Sequence, residues 1–219
     1  MLKKVVLVAI CAAMASAVSP VIAAPFKLPG KSSEAPAAGA DAVSMQEGII
    51  KSYVSSQSNV DAGLVKFAEA YGLKDQAAKL DASAKALAGG ATSEKDLKAN
   101  AKLSQSTQQE IEKQIAEGVA LSDEGKQLFA SGLLPFATGV KGTTALPKEL
   151  QTFTDAAKSQ ISAASVLEKA KVTSKLQAGM WLAQELPGYT SKLTTGLSQI
   201  AGYAKKNSIP LPKEANDLL

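Results

Sequence analysis

Any proton transfer or nucleophilic attack by this chain would have to come from serine, lysine and carboxylate side chains. It has no histidine, and its one cysteine is Cys11. Histidine is the usual general base near neutral pH and the commonest metal ligand, so both chemistries lose their main residue. Serines and lysines are abundant, but no spacing sets one Ser–Lys pair apart. Glu110 and Glu112 are two residues apart and face different sides of a helix. Glu110 and Glu117 are seven apart and share a face, yet Lys113 between them marks that face as solvated and charge-compensated. No glycine cluster runs into the Lys-Ser/Thr ending of a phosphate loop. A glycan-cleaving site would want aromatic platforms, and Trp181 is the only tryptophan. The sequence therefore predicts no catalytic residue, no metal site and no cofactor.

Two patterns bear on binding. Gly118, Gly125, Gly132 and Gly139 recur every seven residues. On one continuous helix they would drift only about 20° per step and form a smooth stripe for close helix packing. Ser122 and Pro135 interrupt that continuity. The second pattern is LFASGLLPFATGV at residues 128–140, an uncharged run holding Leu128, Phe129, Leu133, Leu134 and Phe136. It is too short to span a bilayer as a helix. It reads either as the buried central helix of a bundle or as a mobile apolar segment that covers a lipid pocket or enters a membrane. Met180 and Trp181, on another apolar helix, could line the same pocket, or could be plain core.

These residues must be held by helices, because the apolar period is helical nearly throughout and no stretch alternates long enough for a sheet. A capping box at Ser44-Met45-Gln46-Glu47 opens the first helix. Its stripe is Met45, Ile49, Tyr53, Val60, Leu64, Phe67 and Tyr71, and Gly72 ends it. A second helix carries Leu73, Ala77, Leu80, Ala84 and Leu87 to Gly89-Gly90. A third starts at Ser93 and shows Leu97, Ala101, Leu103, Ile111 and Ile115. Its polar middle, SQSTQQE at 104–110, is expected to be solvated or to face a polar neighbour.

A fourth stretch over 122–140 should be kinked or ended by Pro135 and followed by a turn at Gly142-Thr143-Thr144. Pro147 suits the first position of a fifth helix. Ser165-Val166-Leu167-Glu168 repeats the capping pattern, either restarting the chain or lying inside one long helix. Pro187-Gly188 should break or kink the sixth helix, and a last one should end at Asn207. Ile209-Pro210-Leu211-Pro212 must be extended. The expected fold is all-α: an antiparallel bundle of six or seven helices over 43–207, with an extended tail at 208–219.

The chain begins with a targeting signal. Lys3 and Lys4, an apolar run from Val5 to Ala13, and small residues at Val21-Ile22-Ala23 predict a signal peptide over 1–23, cleaved after Ala23, with Ala17 as the alternative. A lipid anchor on Cys11 would need a small residue before it, and Ile10 stands there. Residues 24–42, rich in Pro, Gly, Ala and Ser, read as a flexible tether. The mature protein would lack cysteine, and so disulfides. All 24 basic residues are lysines; without Lys3 and Lys4, 22 lysines face 20 acids. With no arginine and few aromatics, nucleic acid is not an expected partner.

The expectation is a non-enzymatic periplasmic or secreted helical protein. It would act through contacts with envelope proteins or with itself, as an assembly, adaptor or chaperone-like factor. A carrier of an apolar ligand such as a lipid, and a membrane-active, pore-forming protein, are the alternatives.

Overall fold

The structure, a computed structural model, describes residues 41–212. The expected signal peptide with Cys11, all of the tether but its last two residues, and the end of the C-terminal tail lie outside them. Among the described residues there are six helices and no strand: α1 (Ala42–Ala70), α2 (Lys74–Ala88), α3 (Glu94–Ala116), α4 (Asp123–Ala145), α5 (Pro147–Ala163) and α6 (Val166–Lys206).

Local chemistry accounts for most of the ends. Ser93 and Ser122 accept from backbone N–H groups of Asp96 (3.3 Å) and Gly125 (3.0 Å) and so cap α3 and α4. The exits of α1, α2, α3 and α6 share one device. A residue with positive φ (Gly72, Gly90, Gly118 and Ser208) lets the next N–H reach back to a carbonyl five residues earlier, as in Leu73 to Ala68 at 2.8 Å. Ile209, first of the tail, is buried beyond the α6 exit.

Several boundaries differ from expectation. The N-cap of α1 is Asp41, which accepts from the Val43 N–H (3.1 Å) and the Ser44 hydroxyl (3.4 Å); Ser44 is a donor, and no box forms with Glu47. Pro135 does not end α4, and Pro187 does not divide α6, which runs 41 residues, roughly 60 Å at 1.5 Å per residue. An interior proline costs about 3 kcal/mol. Buried residues on both sides of each hold the helix together: Leu133 and Phe136 in α4, Leu186 and Tyr189 in α6. The expected turn at Gly142-Thr143-Thr144 is helical, because Gly142 lies against Ser56 of α1 and Thr143 is buried. The break falls at Leu146, which closes α4 and opens α5 in α-region geometry (φ −72°, ψ −28°), so the chain bends without reversing.

Contacts fix the topology. Along α4, Gly125 meets Ala70, Gly132 meets Gly63 and Gly139 meets Ser56, so α4 runs antiparallel to α1. Leu87 and Ala88 of α2 return to Ile50 and Val54, while α3 starts beside Tyr53 and passes Gln57 at Ser104. Gln160 of α5 reaches Ala42; α6 passes Gln46 at Gly179 and Tyr71 at Tyr203. Helices α1, α3 and α6 thus point one way and α2, α4 and α5 the other. α1 is central and touches all five others.

The α1–α4 pair is the most extensive contact and is built on glycine. A Cβ on Gly63 would meet the Gly132 carbonyl at 2.8 Å, and one on Gly132 would meet the Gly63 carbonyl at 2.9 Å. One on Gly139 would meet the Ser56 carbonyl at 2.7 Å. Phe67 stacks on Phe129 (4.7 Å) and edges Phe136 (5.6 Å), sealing the same interface. Gly132→Ala and Gly139→Ala should each lower stability by about 1–3 kcal/mol through overpacking. Gly48→Ala, on an open face of α1 with nothing within 4 Å, should raise it by about 0.5–1 kcal/mol. Urea denaturation of the three variants checks this; equal effects at the three positions would mean that α1 and α4 are not in backbone contact.

Candidate functional site

The residues singled out from the sequence divide into three groups. Phe129, Leu133 and Phe136 are buried against α1, whereas Leu128 and Leu134 are half-buried. Gly125, Gly132 and Gly139 lie in the α1–α4 contact, but Gly118 is in the turn after α3, where its φ of +71° ends that helix. The four glycines are therefore not one stripe. Met180 and Trp181 are half-buried on α6. Trp181 lines a cleft of ≈190 Å³ with Tyr53 and Tyr189 and with Lys98 and Gln105 of α3, and no residue of 128–140 shares it.

A groove of ≈950 Å³ lies between α2 and α4, with α1 as its floor. It exists because α2 and α4 both pack on α1 and not on each other. Its walls are mostly small or apolar: Ala62, Val65, Ala70, Ala78, Ala84 and Leu128. Its rim is charged with both signs. Lys66 pairs with Glu69 (2.7 Å) and Lys85 with Asp81 (2.6 Å), and Lys74 and Glu124 complete it.

At the base of the groove the chain buries Asp61, with no exposed surface. Three side chains meet its carboxylate. Gln57 Nε2 donates to Oδ1 (2.8 Å), Asn100 Nδ2 donates to Oδ2 (2.8 Å), and the Ser104 hydroxyl lies 2.5 Å from Oδ1. Gln57 also donates to Ser104 Oγ (2.9 Å), and Asn100 to Ser83 Oγ of α2 (3.1 Å). Helices α1, α2 and α3 are thus tied by one polar network in the interior. The phenols of Tyr53 and Tyr189 are buried without a protein partner, and burial together with the Asp61 charge pushes both upward in pKa.

No lysine faces Asp61 in this network, so desolvation dominates and raises its pKa to about 6 against the three hydrogen bonds. Ser104 and Asp61 are both fully buried, and the serine hydroxyl is held between Asp61 and Gln57. The network is a weld whose charge is set by pH. Of the polar middle of α3, Ser104 belongs to it and so faces a polar neighbour; Thr107 and Gln108 are buried outside it, and Ser106 and Gln109 are exposed. Gln57 and Asp61 did not stand out from the sequence. The available signal was their spacing, for Tyr53, Gln57, Asp61, Leu64 and Ala68 follow one helical line of otherwise apolar residues.

Two more glutamines reach backbone. Gln46 donates to the Lys175 carbonyl and accepts from the Gly179 N–H, both at 2.8 Å. Gln108 donates to the Lys192 carbonyl (3.0 Å) beside Gly196, where any side chain would collide with it. Among the described residues no group of His, Cys, Asp and Glu could hold a metal, and no helix is long and apolar enough to cross a membrane.

Because the folded pKa of Asp61 lies above the ordinary 3.8, the folded state holds the proton more tightly than the unfolded chain. This group's contribution therefore falls as pH rises from about 4 to about 6 and is level above that, a loss on the order of 3 kcal/mol. Asp61→Asn should fold and flatten that slope, since the flipped amides of Gln57 and Asn100 can accept where they now donate. Asp61→Ala should cost about 2–4 kcal/mol at neutral pH by leaving donors unpaired. Parallel pH-dependent slopes for wild type and Asp61→Asn would refute the assignment.

Compared with known protein families, with curated sequences and with solved structures, the chain finds no match.

Proposed function

We propose that this chain is a non-enzymatic helical binding module of the bacterial envelope, acting through protein contacts, with the groove between α2 and α4 as its docking surface. One observation carries the reading: the groove is large enough for a helical segment, small-walled over α1 and rimmed by both charges. The alanines of the α2 wall let a partner backbone approach closely, and mixed rim charges set orientation more than affinity. The envelope location rests on the leader expected at 1–23, and the non-enzymatic reading on the absence of histidine from the whole chain.

The geometry favours this over the two alternatives. The cleft at Trp181, at ≈190 Å³, is smaller than the about 300–1,000 Å³ of small-molecule sites, and the larger α2–α4 groove has a rim charged with both signs, which suits a lipid poorly. Releasing residues 128–140 into a bilayer would open the α1–α4 contact and leave the Gly63 and Phe67 face of α1 uncovered.

Filling the groove tests the proposal. Ala62 and Ala78 are exposed on its walls, so Ala62→Arg with Ala78→Arg should leave stability within about 0.5 kcal/mol of the parent. A photocrosslinker placed at Ala84 should capture a partner from the native envelope, and the double variant should lose that capture at least tenfold. Undiminished capture by the filled variant, or none by the parent, would defeat the proposal.

A further inference from the structure

One helix is held less firmly than its neighbours. α2 packs on α1 and α3 alone. Its buried side chains are Ala77, Leu80 and Leu87, and its N-cap, Leu73, brings no side chain to the free N–H groups. Gly72 before it and Gly90 after it have positive φ, with open space where a Cβ would stand. Both links can turn without collision, so α2 can swing away while α1 and α3 stay folded.

The helices around it are anchored in ways that α2 is not. α4 is in backbone contact with α1, α3 is tied to α6 through Gln105 and Gln108, and α6 is tied to α1 through Gln46. Among the described residues α2 shares one side-chain hydrogen bond with another helix, from Asn100 Nδ2 to Ser83 Oγ (3.1 Å). The same nitrogen donates to Asp61 Oδ2 (2.8 Å). The least anchored helix is thus fastened at the buried carboxylate, and it walls the groove that Asp61 underlies.

Charge decides what that fastening is worth. The titratable groups facing Asp61 are phenols, Tyr53 on α1 and Tyr189 on α6. α3 presents Asn100 and Ser104, and α2 reaches it through Ser83. The charges of α1, α2 and α4 on this side stand at the groove rim: Lys66 paired with Glu69, Lys85 paired with Asp81, Lys74 and Glu124. Ionised Asp61 is therefore a buried anion with three hydrogen bonds and no cation, and desolvation favours its neutral form. Lifting α2 admits water from the groove and relieves that cost, whereas a neutral carboxyl gains far less from it.

We propose that α2 is a flap on the groove, latched by Asp61: it stays seated on α1 while the Asp61 carboxyl is neutral and swings open when that carboxyl ionises. The seated form holds the proton more tightly, so acid closes the flap and a rise from about pH 4 to about pH 6 loosens it. The motion belongs to α2 and needs no partner; that it regulates docking rests on the reading of the groove given above.

Amide hydrogen exchange of the full protein, divided by the intrinsic rate at each pH, reads the flap with no partner present. In the parent, α2 amides should exchange at least about tenfold faster than those of α4 at every pH. Their protection should fall about tenfold to a hundredfold between about pH 4 and about pH 7. Asp61→Asn should abolish that fall. Ser83→Ala, which removes the tie to Asn100, should speed α2 exchange several-fold in acid and leave α4 unchanged. Exchange of α2 in step with α4 would mean that it opens only with the whole molecule, and would overturn the flap. A parent α2 indifferent to pH, or an Asp61→Asn variant whose α2 protection still falls, would overturn the latch. Failure of capture through Ala84 while these exchange results hold defeats the docking reading and leaves the flap standing.

Discussion

The backbone contact between α1 and α4 is the constraint on which the other helices depend. Gly63 and Gly132 face each other so closely that neither tolerates a methyl group, and Gly139 repeats the approach one level on. With α4 seated that deeply, α1 is enclosed and becomes the axis that every other helix touches. Polar side chains on the covered faces of α1 cannot reach water, so Gln46 finds its partners on α6, and Gln57 and Asp61 find theirs on α3. Close packing on one face of α1 thus creates the need for the polar weld on another.

The same logic explains what the sequence disclosed and what it withheld. Gly72, Ser93, Ser122 and Pro147 act through groups one to five residues away, so a linear reading finds them. Pro135 and Pro187 left a kink or a break open, and that neither breaks its helix is decided by burial on both sides, which local sequence does not contain. Gly142-Thr143-Thr144 has turn composition, yet its conformation is settled by Ser56, more than eighty residues earlier. The polar stretch at 104–110 left two readings open, solvated or facing a polar neighbour: Ser104 takes the second by meeting Gln57 and Asp61, while Ser106 and Gln109 are exposed.

The candidate binding surface was still less legible. A groove between α2 and α4 exists because those helices do not meet, and the failure of two helices to touch leaves no mark in either one's pattern. Alanines on α2 read as weak core when they are the wall of a concavity. Likewise Val166 and Leu167 look like two more core positions of an apolar helix. Their exposure follows from how far α6 overshoots α1, a matter of relative length and not of residue type.

The length of α6 has a mechanical consequence. One unbroken helix joins the exposed start at Val166 to the aromatic cluster at the far end, where Tyr203 lies against Tyr71 and Phe129 and donates to the Val119 carbonyl. It is seated on Gln46 and Gln108 at two glycines, bearing points with no side chain to interlock. Side-chain amides bonded to its backbone thus fix the height of α6 at two levels, one on each side of Pro187. The chain's sole tryptophan, Trp181, sits on α6 beside Tyr53 and Gln105, so its fluorescence reports how α6 is seated against α1 and α3.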